Sequence, residues 1–158
     1  MITTTRMEER HLAQVCEIED ECFAIAWSRE ALEHELRGNK LAVYFVACDD
    51  DEPPGNEVLG YAGMWHVVNE GHITNVAVRE RYRRMGVGDA LVKALVAEAE
   101  TRGMIGLTLE VSVANIRAQK LYIKHGFKPE GFRKDYYDDT HEDAIIMWKY
   151  FNTDTEVT

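Results

Sequence analysis

Apolar residues along this chain follow two spacings, and the alternation between them outlines the fold. Short runs of wholly apolar or alternating residues at 2–6, 41–48, 58–68, 72–78, 106–113, 127–133 and 144–148 predict strands. Helical spacing predicts four helices between them. The first covers 8–22 and carries Leu12, Val15, Cys16 and Ile18 on one face. A second covers 29–36, with Ser28 as N-cap and Gly38-Asn39 as its stop. The third covers 89–102, with Leu91, Val92, Leu95, Val96 and Ala99 on one face and Gly103 behind it, and the fourth covers 115–125, ended by Gly126. Polar turns are expected at 49–56 and 135–141, and a tight turn at Asn69-Glu70-Gly71. The strands at 41–48, 58–68 and 72–78 then form an antiparallel meander. The sum is an α/β fold: one domain over 1–150, a mixed, mostly antiparallel twisted sheet with helices on both faces, and a fraying tail at 151–158.

The junction between the strand at 72–78 and the helix at 89–102 departs from simple patterning. It holds Arg79, Arg81, Arg83 and Arg84, followed by Gly86-Val87-Gly88. A helix N-terminus presents amides without internal partners at the positive end of the helix dipole, so an anion is stabilised there. Glycines without a Cβ let a ligand approach those amides. This reads as a diphosphate cradle. A P-loop is excluded, because neither the required Lys nor the hydroxyl follows the glycines. A dinucleotide fingerprint lacks its third glycine, Leu91 standing in that place, although Glu110 lies near the distance of a ribose-binding acid. A plain turn with solvated arginines accounts for the same residues.

Composition narrows the function classes. With 158 residues, 46% of them hydrophobic, the chain can bury a sizeable core as one domain. The longest apolar run, 41–48, is too short to span a bilayer, and the first residues lack the pattern of a signal peptide, so a cytosolic protein is expected. Cys16, Cys22 and Cys48 form no Cys-x-x-Cys pair and read as reduced thiols. A formal charge of −10 opposes broad nucleic-acid binding, which makes the local arginine cluster the informative feature. No Gly-x-Ser-x-Gly or His-Glu-x-x-His motif is present, and His11, His34, His66, His72, His125 and His141 read as surface or satisfied core residues. No metal is expected.

Candidate chemistry lies downstream of the cradle. Glu110 alternates with Leu109 and Val111, so its side chain leaves the opposite face of the strand. It is a surface carboxylate, an ion-pair partner or a general base. Asn115 and Tyr122 lie two turns apart on one helix face, as an N-cap and a core aromatic or as parts of a site. Trp27 packs between helices, lines a cleft, or does both.

These residues carry a resemblance. Arg83-Arg84-Met85-Gly86-Val87-Gly88 resembles the acetyl-CoA signature of the GNAT family of N-acetyltransferases, and Asn75-Val76-Ala77-Val78, Leu109-Glu110-Val111, Asn115 and Ala118-x-x-Leu121-Tyr122 with Gly126-Phe127 recur in that family's order. Trp27-Ser28, Tyr136-Tyr137 and the run from Glu142 to Met147 are similar to the RimI-type ribosomal-protein-alanine N-acetyltransferases. The resemblance implies acetyl-CoA as cosubstrate and, as acceptor, the N-terminal amine of a protein, a ribosomal protein in the RimI type. It implies that Val76, Ala77 and Val78 meet the pantetheine arm, that Arg83 through Gly88, with Met85 and Val87 among them, hold the pyrophosphate, and that Asn115 touches the cofactor. Glu110 matches the general base and Tyr122 the general acid, while Trp27, Tyr136 and Tyr137 would border the peptide. Two positions depart from the family's pattern: Ala26 stands where Pro often precedes Trp-Ser, and Met85 where Gln is common. An α-amine, with a pKa near 7.7–8.0, is about a tenth neutral at pH 7, against roughly four in ten thousand for Lys, so a protein N-terminus is the easier acceptor.

Overall fold

The computed structural model describes residues 1–23, 25–49, 57–137 and 141–151. Seven strands form one sheet in the order β1-β2-β3-β4-β5-β7-β6, where β1 is Ile2–Arg6, β2 Ala42–Asp49, β3 Val58–Val67, β4 Glu70–Val78, β5 Gly106–Ser112, β6 Lys128–Arg133 and β7 Ala144–Tyr150. The helices are α1 Leu12–Cys22, α2 Arg29–Gly38, α3 Val87–Thr101 and α4 Ile116–Lys124. Neighbouring strands run antiparallel except β4 and β5, which the crossover through α3 makes parallel.

Each face of the sheet has its own core. On one face α3 buries Val87, Leu91, Val92, Leu95 and Ala99 against Ala62, Met64, Leu107 and Leu109, with Tyr122 and Phe127 closing the α4 end. On the other, Leu12, Val15 and Ile18 of α1 and Leu32 of α2 pack on Val46, Val58 and Tyr61. Burying such side chains stabilises by roughly 1.5–3 kcal/mol each. The Tyr44 ring lies over Gly63, where an added Cβ would sit 2.2 Å from it. The three cysteines are free thiols, and among the described residues no helix is long and apolar enough to cross a membrane.

Several boundaries move for physical reasons. The expected first helix divides: Glu9–His11 forms a 3-10 turn, held by Glu8 N donating to His11 Nδ1 at 2.9 Å, and α1 begins at Leu12. The turn expected at Asn69-Glu70-Gly71 lies earlier, because Glu70 and Gly71 pair with Val67 and His66 of β3 and with Gly106 and Leu107 of β5. The last strand runs to Tyr150, which pairs with Gly106, and Phe151 N donates to Ile105 O at 2.9 Å. The expected turn at 49–56 beyond Asp49, the centre of the 135–141 loop and the tail 152–158 lie outside the described residues.

Candidate active site

A flaw in the sheet creates the site. β4 and β5 pair only over Glu70–His72 against Gly106–Thr108, although both strands continue. The register of β3 on β4 shifts between Gly63, opposite Asn75, and Met64, opposite Ile73, so Thr74 is an extra residue. Such a bulge bends its strand and ends local pairing, and here β4 leaves β5. Asn75 Oδ1 is buried at this bend with no hydrogen-bond partner among the described residues.

A cavity of about 800 Å³ lies beside this opening. Val76, Ala77 and Val78 of β4 line it, as do Arg83, Arg84, Gly86 and Gly88 of the turn and Asn115 of α4. Two expected members stand apart: the Met85 side chain is exposed, and Val87 is buried in the core. Only their backbone belongs to the turn.

Gly86 takes φ +88° and caps α3, which starts at Val87, two residues before the expected helix. Arg84 is also left-handed, at φ +67°. The turn's backbone bonding ends with Arg83 N to Glu80 O and resumes with Ala90 N to Gly86 O, so the amides from Arg84 to Asp89 make no hydrogen bond among the described residues. These amides and two arginine side chains suit a pyrophosphate. Gly88 has a second role: an added Cβ would lie 3.3 Å from Leu121 Cδ2, so its absence lets α4 approach α3.

The four arginines divide into two pairs. Arg79 is buried, with Nε donating to Val58 O at 2.7 Å and a guanidinium nitrogen 2.9 Å from Glu17, and Arg81 pairs with Glu57. Both brace the entry to the turn, leaving Arg83 and Arg84 at the cavity.

Glu110 sits on the face opposite Leu109 and Val111, as alternation requires, with its side chain 9% exposed. Its Oε1 lies 2.7 Å from His72 Nε2, and its Oε2 lies 3.5 Å from Arg133 Nε. The His72 hydrogen bond, above all, holds the carboxyl below its ordinary pKa against the opposing effect of burial. The same bond raises the His72 imidazole. The sequence reads His72 only as a surface or satisfied core residue, because its partner is thirty-eight residues away on a strand joined to β4 through just three parallel pairs, the last of them His72 with Thr108.

Tyr122 is buried, its ring edge-on to Phe127 with centroids 5.6 Å apart. Burial, and then Tyr137, push its phenol well above the ordinary value. Tyr136 and Tyr137 meet edge to face at 5.0 Å. Burial leads in raising both phenols, Tyr137 to about 12, and the Glu110 carboxylate adds to each shift. Glu110, His72, Tyr136, Tyr137 and Tyr122 therefore form one electrostatic neighbourhood. Trp27 packs beside the α1 and α2 core, and its backbone N–H donates to the buried Glu19 carboxylate at 2.8 Å.

Residues 12–127 match the model of the Acetyltransferase (GNAT) family. The chain belongs to the GNAT family. It is 32% identical, over 93% of its length and 96% of the relative, to the [Ribosomal protein bS18]-alanine N-acetyltransferase of Salmonella typhimurium. It is 37% identical to a Bacillus subtilis protein carrying a provisional form of that name, covering 96% of this chain and 95% of that one. The crystal structure of the ribosomal-protein-S18-alanine N-acetyltransferase from Escherichia coli superposes with a TM-score of 0.82 at 32% identity, covering 95% of this chain and 94% of that one. Arabidopsis thaliana NAA60 in complex with acetyl-CoA shares the fold at a TM-score of 0.86 and 20% identity, over 96% of this chain and 99% of that one. This GNAT protein is an N-acetyltransferase, similar over nearly its full length to those of the RimI type.

Proposed function

We propose that this acetyltransferase moves the acetyl group of acetyl-CoA directly to the N-terminal α-amine of a protein, the alanine of ribosomal protein bS18 in the cytoplasm. The near full-length similarity to alanine N-acetyltransferases named for that protein carries the reading. The cavity supports it: unbonded amides from Arg84 to Asp89 suit the pyrophosphate, and the stretch of β4 at Val76–Val78, paired with β3 on one side and unpaired on its β5 side, with Asn115 opposite, suits the pantetheine arm.

Bound acetyl-CoA supplies the thioester. Glu110 and His72 act as one proton-accepting unit on the face away from α3. The carboxylate alone is a weak base for an α-amine of pKa near 7.7–8.0, so Glu110 orients the amine and its hydrogen-bonded partner His72, whose imidazole that bond raises above its ordinary value, shares the proton. Tyr122 stays protonated across the physiological range. Proton transfer from so weak an acid to a thiolate of pKa about 8.5 is uphill, so Tyr122 serves as a hydrogen-bond donor to the departing sulfur. Trp27, Tyr136 and Tyr137 border the acceptor.

The test is acetyl-CoA turnover on peptides differing in the first residue, each paired with an N-terminally blocked peptide that carries a free Lys. Turnover on alanine-initiated peptides and none on the blocked partners is expected. Turnover confined to the blocked peptides would reverse the reading in favour of Lys.

A further inference from the structure

We propose that Arg117 recognises the 3′-phosphate of coenzyme A, so that the acetyltransferase distinguishes CoA from its dephospho form. The inference rests on the acetyl-CoA reading and deepens it. Three arginines face the cavity: Arg83, Arg84 and Arg117. Arg83 is tied to its own wall, Nε donating to Val78 O at 3.1 Å and a terminal nitrogen lying 3.5 Å from Cys22 Sγ. Arg84 belongs to the cradle, among the amides that suit the pyrophosphate. Arg117 stands on the other wall, in the first turn of α4, and makes no ion pair or side-chain hydrogen bond among the described residues.

The helix that carries it is held in place. Asn115 Oδ1 accepts from Ala118 N at 3.1 Å, and Gln119 Nε2 donates to Ser112 O and Val113 O at 3.0 Å each, so the start of α4 is pinned to the end of β5. The separation of the two walls is held as well: Asp89 of α3 receives Lys124 Nζ at 3.1 Å and His125 Nε2 at 2.9 Å. Asp89 is the one carboxylate among the cavity's lining residues, and its carboxylate is already engaged by the Lys124 ammonium and the His125 ring, so it does not compete for Arg117. The exposed guanidinium is thus presented on a rigid element to whatever fills the space.

Coenzyme A carries two anionic groups. The pyrophosphate is served by the cradle, and the remaining group is a phosphomonoester bearing about −1.5 to −2 charge at pH 7. An arginine fork matches phosphate oxygens in a bidentate manner. A cation on the wall facing the cradle meets this second group rather than competing for the first.

Calorimetric titration of CoA and 3′-dephospho-CoA into the wild type and Arg117→Ala tests the assignment. Wild type is expected to bind CoA about tenfold more tightly than dephospho-CoA. Arg117→Ala should lose about tenfold for CoA while keeping dephospho-CoA within about twofold, bringing the two affinities together. Equal weakening of both ligands would place Arg117 on the pyrophosphate and overturn the proposal, as would a wild type that does not discriminate. A wild type that binds neither ligand would remove the acetyl-CoA reading itself.

Discussion

A carboxylate is weakened as a base by every cation that holds it in place, and Glu110 has two, His72 and Arg133. In the proposed function the pair therefore shares the role that a lone base would otherwise fill. Glu110→Gln should lower kcat by about 100-fold, within the range for loss of a general base, and leave CoA affinity within about twofold, as checked by initial rates beside calorimetry. Equal turnover at saturating substrates would remove the assignment. The pair also shapes stability against pH. The folded pKa of His72 is raised above its ordinary 6.5, so its contribution is full below that value and is lost as pH rises through the folded one. Glu110, depressed below 4.5, contributes above that value and loses its contribution as pH falls through the folded one. Thermal melts of His72→Gln should therefore show a larger loss of Tm at about pH 5.5 than at about pH 8.5. A loss that grows toward alkaline pH would contradict the pairing. Alternation alone placed Glu110 on the correct face. His72 escaped notice because six scattered histidines carry no local signal of which one meets a carboxylate across a parallel strand pair.

At the scale of elements, the strand, turn and helix around the glycines were legible because period-two apolar residues give way to helical spacing across Gly86-Val87-Gly88. The fate of the arginines was not. Arg79 and Arg81 are bound by Glu17 and Glu57, residues that only the tertiary fold brings near. Nor does the sequence mark the bulge at Thr74, since β4 reads as an unbroken strand whichever way its side chains turn. Gly86 at φ +88° makes the cradle's shape testable. An L-residue there costs roughly 1–2 kcal/mol, so Gly86→Ala should lower Tm by about 2–8 °C in a chain of this size. It should also weaken acetyl-CoA binding, because the amides beyond it change direction. Unchanged affinity in a folded Gly86→Ala protein would show that the turn does not hold the pyrophosphate.

For the whole molecule, two cores on opposite faces hold one sheet whose central parallel pair opens, and the residues proposed to hold the cofactor line the cavity beside that opening. Fold class, strand count and helix count followed from patterning; the opening did not, because it arises from pairing that stops. In the proposed function, Glu110 and His72 form the acceptor side, and the cavity bounded by α3 and α4 holds the cofactor. A neutral α-amine is roughly 250-fold more abundant than a neutral Lys amine at pH 7. The most direct measurement is fragmentation mass spectrometry of one peptide that begins with alanine and contains an internal lysine, incubated with the enzyme and acetyl-CoA. Acetyl groups are expected on the terminal nitrogen in large excess over the side chain, and a majority on the lysine would contradict the account.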